Sequence, residues 1–153
     1  LSLEKNKLSA MPPLVGTMFS LKSLRMHSNQ IAELPPSICL LASLENLDLH
    51  KILLKALPHG IGQLRSLQKF DVSENRLVEL PVTICELSDT LQLLVGRNPL
   101  EKPSIEQARQ GIGAIRRFFG FGRPRALMVV GNRFPDGPDP YHVLLKLVLK
   151  IPF

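Results

Sequence analysis

A chain of 153 residues with 44% hydrophobic side chains is long enough for one domain with a sizeable core, and its net charge is +6. It holds no uninterrupted apolar run of about 18 residues, the length that marks a membrane span, and no signal-peptide pattern at its start. These features exclude a helical membrane protein and fit an intracellular interaction module.

The chain is built on one pattern that repeats every 23 residues across 1–119, opening at Leu1, Leu24, Leu47, Phe70 and Leu93. Two positions after each opening stand Leu3, Met26, Leu49, Val72 and Val95, and seven positions after it Leu8, Ile31, Leu54, Leu77 and Leu100. Asparagine fills the fifth position in four copies, as Asn6, Asn29, Asn75 and Asn98, and Ile52 takes it in the third. Met11-Pro12, Leu34-Pro35, Leu57-Pro58 and Leu80-Pro81 follow, and then Val15, Ile38, Ile61 and Ile84. Alternating apolar residues put two side chains on the buried face of a short strand. A single repeat cannot bury that face alone, so the repeats are expected to stack in parallel register over a continuous leucine core. The asparagines are expected to bond backbone groups in the bend after each strand, and the Leu-Pro step to end each return segment. Ile52 lacks those bonds, which predicts a third bend that is looser or bonded through water.

Cys39 and Cys85 occupy equivalent places two repeats apart, roughly 10 Å or more at about 4.8 Å per strand. A disulfide tolerates about 7 Å between Cα atoms, so both are expected as free thiols. The absence of an Asn-x-Ser/Thr sequon fits a reducing, cytoplasmic location. The chain opens directly on a repeat leucine, which reads as a fragment whose N-terminal repeats and cap are missing.

The pattern Leu-x-x-Leu-x-Leu-x-x-Asn-x-Leu-x-x-Leu-Pro-x-x-Ile resembles the 23-residue class of leucine-rich repeats found in Ras-pathway scaffolds and plant intracellular Ras-group proteins. Gly96-Arg97-Asn98-Pro99-Leu100, with Gly111 and Ala114-Ile115-Arg116-Arg117-Phe118-Phe119, resembles the terminal repeat and capping helix of that class. The resemblance implies an α/β fold, a right-handed leucine-rich-repeat solenoid with short parallel strands on its concave face and a helix near residues 105–119. It also implies a binding surface, with a small GTPase or another signalling protein as the kind of partner.

Strand positions one, three and four after each opening residue face solvent on that concave sheet. The candidate partner-binding residues are Glu4 and Lys5, Arg25 and His27, Asp48, His50 and Lys51, Asp71 and Glu74, and Arg97. Residues of one column stack about 4.8 Å apart, so Arg25 is expected to face Asp48, and Glu74 to stand between Lys51 and Arg97. A face of mixed charge suits a protein partner better than a nucleic acid. Glu4, His27 and His50 share a column that a metal can bridge, but a designed zinc site shows a clearer ligand set with supporting partners, so no metal and no cofactor are expected. Gly111-x-Gly113 and Gly120-x-Gly122 lack the third glycine of a dinucleotide loop, and no Gly-x-Ser-x-Gly is present; the chain reads as a non-enzyme.

The basic excess lies in the C-terminal third, since residues 1–105 carry 11 basic and 10 acidic residues and residues 106–153 carry 8 and 3. Arg116, Arg117, Arg123 and Arg125 beside Phe118, Phe119 and Phe121 read as a helix C-terminus and linker in preference to an anionic-ligand patch. Residues 120–153 read as a linker and tail, and residues 122–153 are expected to lie outside the cooperative fold. Within them, residues 126–132 resemble the first strand of the GTPase domain in Roco proteins, which makes the repeat arm of such an enzyme the alternative reading. The phosphate loop is not supported, because Asp136 stands where its second glycine belongs and no Lys-Ser/Thr follows. The apolar end of the tail is compatible with packing on the solenoid or touching a membrane.

Overall fold

The computed structural model describes residues 1–121. Four three-residue strands, β1 (Ser23–Arg25), β2 (Asn46–Asp48), β3 (Lys69–Asp71) and β4 (Gln92–Leu94), form one parallel sheet in chain order. The register advances by one repeat at every step, so that Leu24, Leu47, Phe70 and Leu93 are direct neighbours. The first repeat joins through a single parallel bridge between Ser2 and Arg25. This is the leucine-rich-repeat solenoid that the 23-residue period requires. Among the described residues, no helix is long and apolar enough to cross a membrane.

Each strand leads into a bend whose residue four places after the opening turns left-handed: Lys5, Ser28, Lys51, Glu74 and Arg97 all have φ between 55° and 57°. The asparagine that follows holds the bend. Asn29 Nδ2 donates to the Leu3 and Met26 carbonyls while its Oδ1 accepts from the Leu8 N–H, so one side chain ties two repeats together. Asn98 does the same with Val72, Val95 and Leu77. The amide is bifunctional and buried, so it donates to bend carbonyls and accepts a backbone N–H at the same time.

The expected looseness at Ile52 is corrected by the next repeat. Asn75 Oδ1 accepts from both the Ile52 and the Leu54 N–H, at 3.1 and 2.9 Å, and its Nδ2 donates to the Leu49, Val72 and Ser73 carbonyls. Ile52 is fully buried, and the cost appears at its neighbour, Leu53, which is forced to φ 74°.

The return segments are 3-10 turns: Pro13–Thr17, Pro36–Leu40, Ile61–Gln63 and Val82–Glu86. The prolines open these turns and do not end the segments, contrary to the sequence expectation. Pro12, Pro35 and Pro81 are the N-caps, and the Pro12, Pro35, Pro58 and Pro81 carbonyls each accept the N–H three residues on. A missing N–H costs nothing at such a position, and the fixed φ is already correct. Adjacent turns approach closely: a Cβ on Gly62 would lie 2.2 Å from the Thr83 carbonyl oxygen. Cys39 and Cys85 occupy the same column as Gly16 and Gly62 and are buried free thiols.

The C-terminal end of the core is covered by two short helices where one was expected, α1 (Ile105–Arg109) and α2 (Ile112–Phe118). Ser104 and Gln107 form a reciprocal capping box at the start of α1. Gly111, at φ 89°, breaks the run and resets the phase of α2. The buried cap residues are therefore Ala108, Ile112, Ala114 and Ile115, whereas Phe118, expected in the cap, is 41% exposed and Phe119 packs against the core instead. The linker and tail reading, the Roco-like strand and the degenerate phosphate loop fall on 122–153 or depend on them, outside the described residues.

Candidate functional site: the solvent face of the parallel sheet

The sheet places the candidate residues in rows. Arg25, Asp48 and Asp71 end successive strands, Glu4, His27 and His50 follow at equivalent places in successive repeats two residues further on, and Lys5, Lys51, Glu74 and Arg97 lie in the left-handed bends. Arg25, Lys5, Lys51, Glu74 and Arg97 are exposed, and Glu4, His27, Asp48, His50 and Asp71 are half-buried between them.

The expected pairing across neighbouring repeats forms at one of the anticipated places. Arg97 donates to the Glu74 carboxylate at 2.9 Å, a solvent-exposed bond worth a few tenths of a kcal/mol. Arg25 and Asp48 are Cα partners in the register, but the Asp48 carboxylate turns along its own strand and accepts from His50 Nδ1 at 2.8 Å and from the His50 N–H. Asp71 repeats the arrangement with the Ser73 N–H and hydroxyl, at 3.0 and 2.6 Å. The physical reason is that residues one and three after an opening lie on the same face of one strand, and a short aspartate reaches that neighbour and its amide at once. An Asp-x-His and an Asp-x-Ser at the same offset in consecutive repeats were the signal for this contact.

The histidine column is a stack. The His27 and His50 rings lie 4.4 Å apart between centroids with their planes 18° from parallel. Glu4 is not drawn to them; it accepts from the Ser2 hydroxyl, which holds its carboxyl below the usual carboxylate range. The side chains that do converge are Asp48, His50 and Asp71, whose donor atoms all lie within 4.8 Å of one another.

Arg116 is removed from any cationic patch by its role in the cap. Its guanidinium donates to the Cys85 and Leu87 carbonyls and to Asp89, at 2.7, 2.6 and 2.5 Å, and so satisfies the carbonyl end of the last 3-10 turn. Arg117 is exposed, and Arg123 and Arg125 lie outside the described residues.

Comparison with known proteins agrees with this architecture. No curated protein matches the chain. A solved leucine-rich-repeat protein of Leptospira interrogans is similar at 34% identity and a TM-score of 0.66 over 80% of this chain, which spans about 30% of that protein's length. Residues 20–41 match the leucine-rich-repeat family model, and the fold is that of a leucine-rich-repeat solenoid.

Proposed function

We propose that this chain is a protein-binding module, a non-catalytic scaffold for cytoplasmic signalling that takes its partner on the solvent face of the sheet. The supporting observation is the rigid row of exposed and half-buried polar side chains, Glu4, Lys5, Arg25, His27, Asp48, His50, Lys51, Asp71, Glu74 and Arg97, on strands fixed by backbone and asparagine bonds. Such a surface is ordered before binding, so a partner meets little further entropic cost on this side. Its mixed charge favours a folded or extended protein segment with complementary signs over a uniform polyanion. A small GTPase or related signalling protein is the partner class proposed.

The test begins with a photoreactive side chain at Lys51, on the sheet face, and another at Leu40, on the return side. The identified cross-linked partner is then titrated against Arg25→Glu and Glu74→Lys variants. Partner capture at Lys51 alone, with affinity at least tenfold weaker for the charge reversals and an unchanged melting temperature, supports the reading. Capture at Leu40 alone, or affinity indifferent to both reversals, moves the site off the sheet.

A further inference from the structure

The sheet face brings a nitrogen and two carboxylate donors into one place that is distinct in chemistry from the rest of the row. Asp48 and Asp71 are direct neighbours in the register of β2 and β3, an arrangement of like charges that is unfavourable unless something positive sits between them. Each uses Oδ1 for its bonds, to His50 or to Ser73, and neither Oδ2 takes a hydrogen bond among the described residues. We propose that Asp48, His50 and Asp71 bind a divalent transition-metal ion, zinc-like in its preference, on the solvent face of the sheet.

The donor set selects the class of ion. One imidazole with two carboxylates suits zinc and its neighbours, whereas calcium takes six to eight oxygens and magnesium retains its waters. Tetrahedral zinc at about 2.0–2.2 Å from each donor sets its ligands about 3.3–3.6 Å apart. The three donors lie within 4.8 Å of one another, from the ends of β2 and β3 and the bend just after β2, so small side-chain rotations close the site without moving the sheet. When His50 ligates through Nδ1, the proton it shares with Asp48 Oδ1 leaves that atom, and in the neutral ring it returns at Nε2. The remaining coordination position is filled by water.

The ligands also have the support that a bound ion needs. The Ser73 hydroxyl and N–H fix the Asp71 carboxylate, and the His27 ring stacked at 4.4 Å fixes the plane of His50. His27 is a positioning residue in this arrangement.

The test titrates the 153-residue chain with zinc chloride by calorimetry and follows its melting temperature in parallel. One equivalent bound, a higher melting temperature with metal, and at least a tenfold loss of affinity in each of Asp71→Asn and His50→Gln establish the site. His27→Ala is expected to weaken binding less than either. The cobalt(II) form separates this site from adventitious cysteine ligation: visible d–d bands without a thiolate charge-transfer band are expected. No saturable heat, affinity unaltered in both ligand variants, or a thiolate band from Cys39 or Cys85 overturns the proposal.

Discussion

Asn75 bonds the backbone of Ile52 as well as that of its own bend, accepting from the Ile52 and Leu54 N–H groups while donating to Leu49, Val72 and Ser73. Asn29 and Asn98 also span two repeats, but Asn75 adds the bond to the Ile52 N–H, at the position where the third repeat has no asparagine of its own. Replacing Asn75 with alanine leaves two buried donors unpaired and is expected to cost about 3 kcal/mol or more. Asn6→Ala, at an exposed bend, is expected to cost well under half of that. Urea midpoints of the two variants check the order, and equal losses contradict it.

Restoring the missing residue gives the converse prediction. In an Ile52→Asn variant the new side-chain amide would meet the Ile31 N–H and the Met26 and Leu49 carbonyls, by analogy with Asn75 and Asn98, and release Leu53 from φ 74°. The lost burial of one isoleucine is worth about 1.5–3 kcal/mol. Three bonds at about 1 kcal/mol each and relief of about 1–2 kcal/mol of left-handed strain exceed it. The variant should unfold at a higher urea concentration, by about 1 kcal/mol; a lower midpoint would show that the rebuilt bend is the better solution.

The capping helix is held by Arg116 through two carbonyls and one carboxylate. Arg116→Ala should cost about 2–3 kcal/mol, mainly by leaving the Cys85 and Leu87 carbonyls unpaired. Arg116→Lys should recover little, since a single ammonium cannot serve three acceptors spread across a planar fork. Asp89→Asn, at an exposed carboxylate, should change stability by less than about 1 kcal/mol. Amide exchange in α2 that is unchanged in the alanine variant would refute the clamp.

Burial pushes the Cys39 and Cys85 thiols up, and at Cys85 this outweighs the opposing pull of Arg116. At pH 8 the native protein should therefore react with a disulfide reagent at least about tenfold more slowly than the urea-unfolded chain, because the thiolate is the nucleophile. Stoichiometric labelling within the mixing time in native buffer would show that these thiols are open to solvent.

The sequence by itself determined the repeat length, the strand positions, the core columns and the free thiols, because a strict 23-residue period leaves only one register in which the recurrent apolar columns stack on one another in the core. It also located the face on which the candidate residues stand, since alternation along a strand is a local property. Only the tertiary structure decided where those side chains turn. Arg25 and Asp48 are neighbours in sequence logic, yet Asp48 bonds His50, because a carboxylate reaches a same-face imidazole and amide two residues on as readily as a guanidinium one strand away. Ile52 looked like a gap from its own repeat, and the repair came from Asn75, 23 residues later, because stacked bends share their backbone donors. The helix break at Gly111 and the exchange of Phe118 for Phe119 at the core likewise follow from how the last repeat must be covered, a requirement set by the packed end of the solenoid and not by the helical pattern alone.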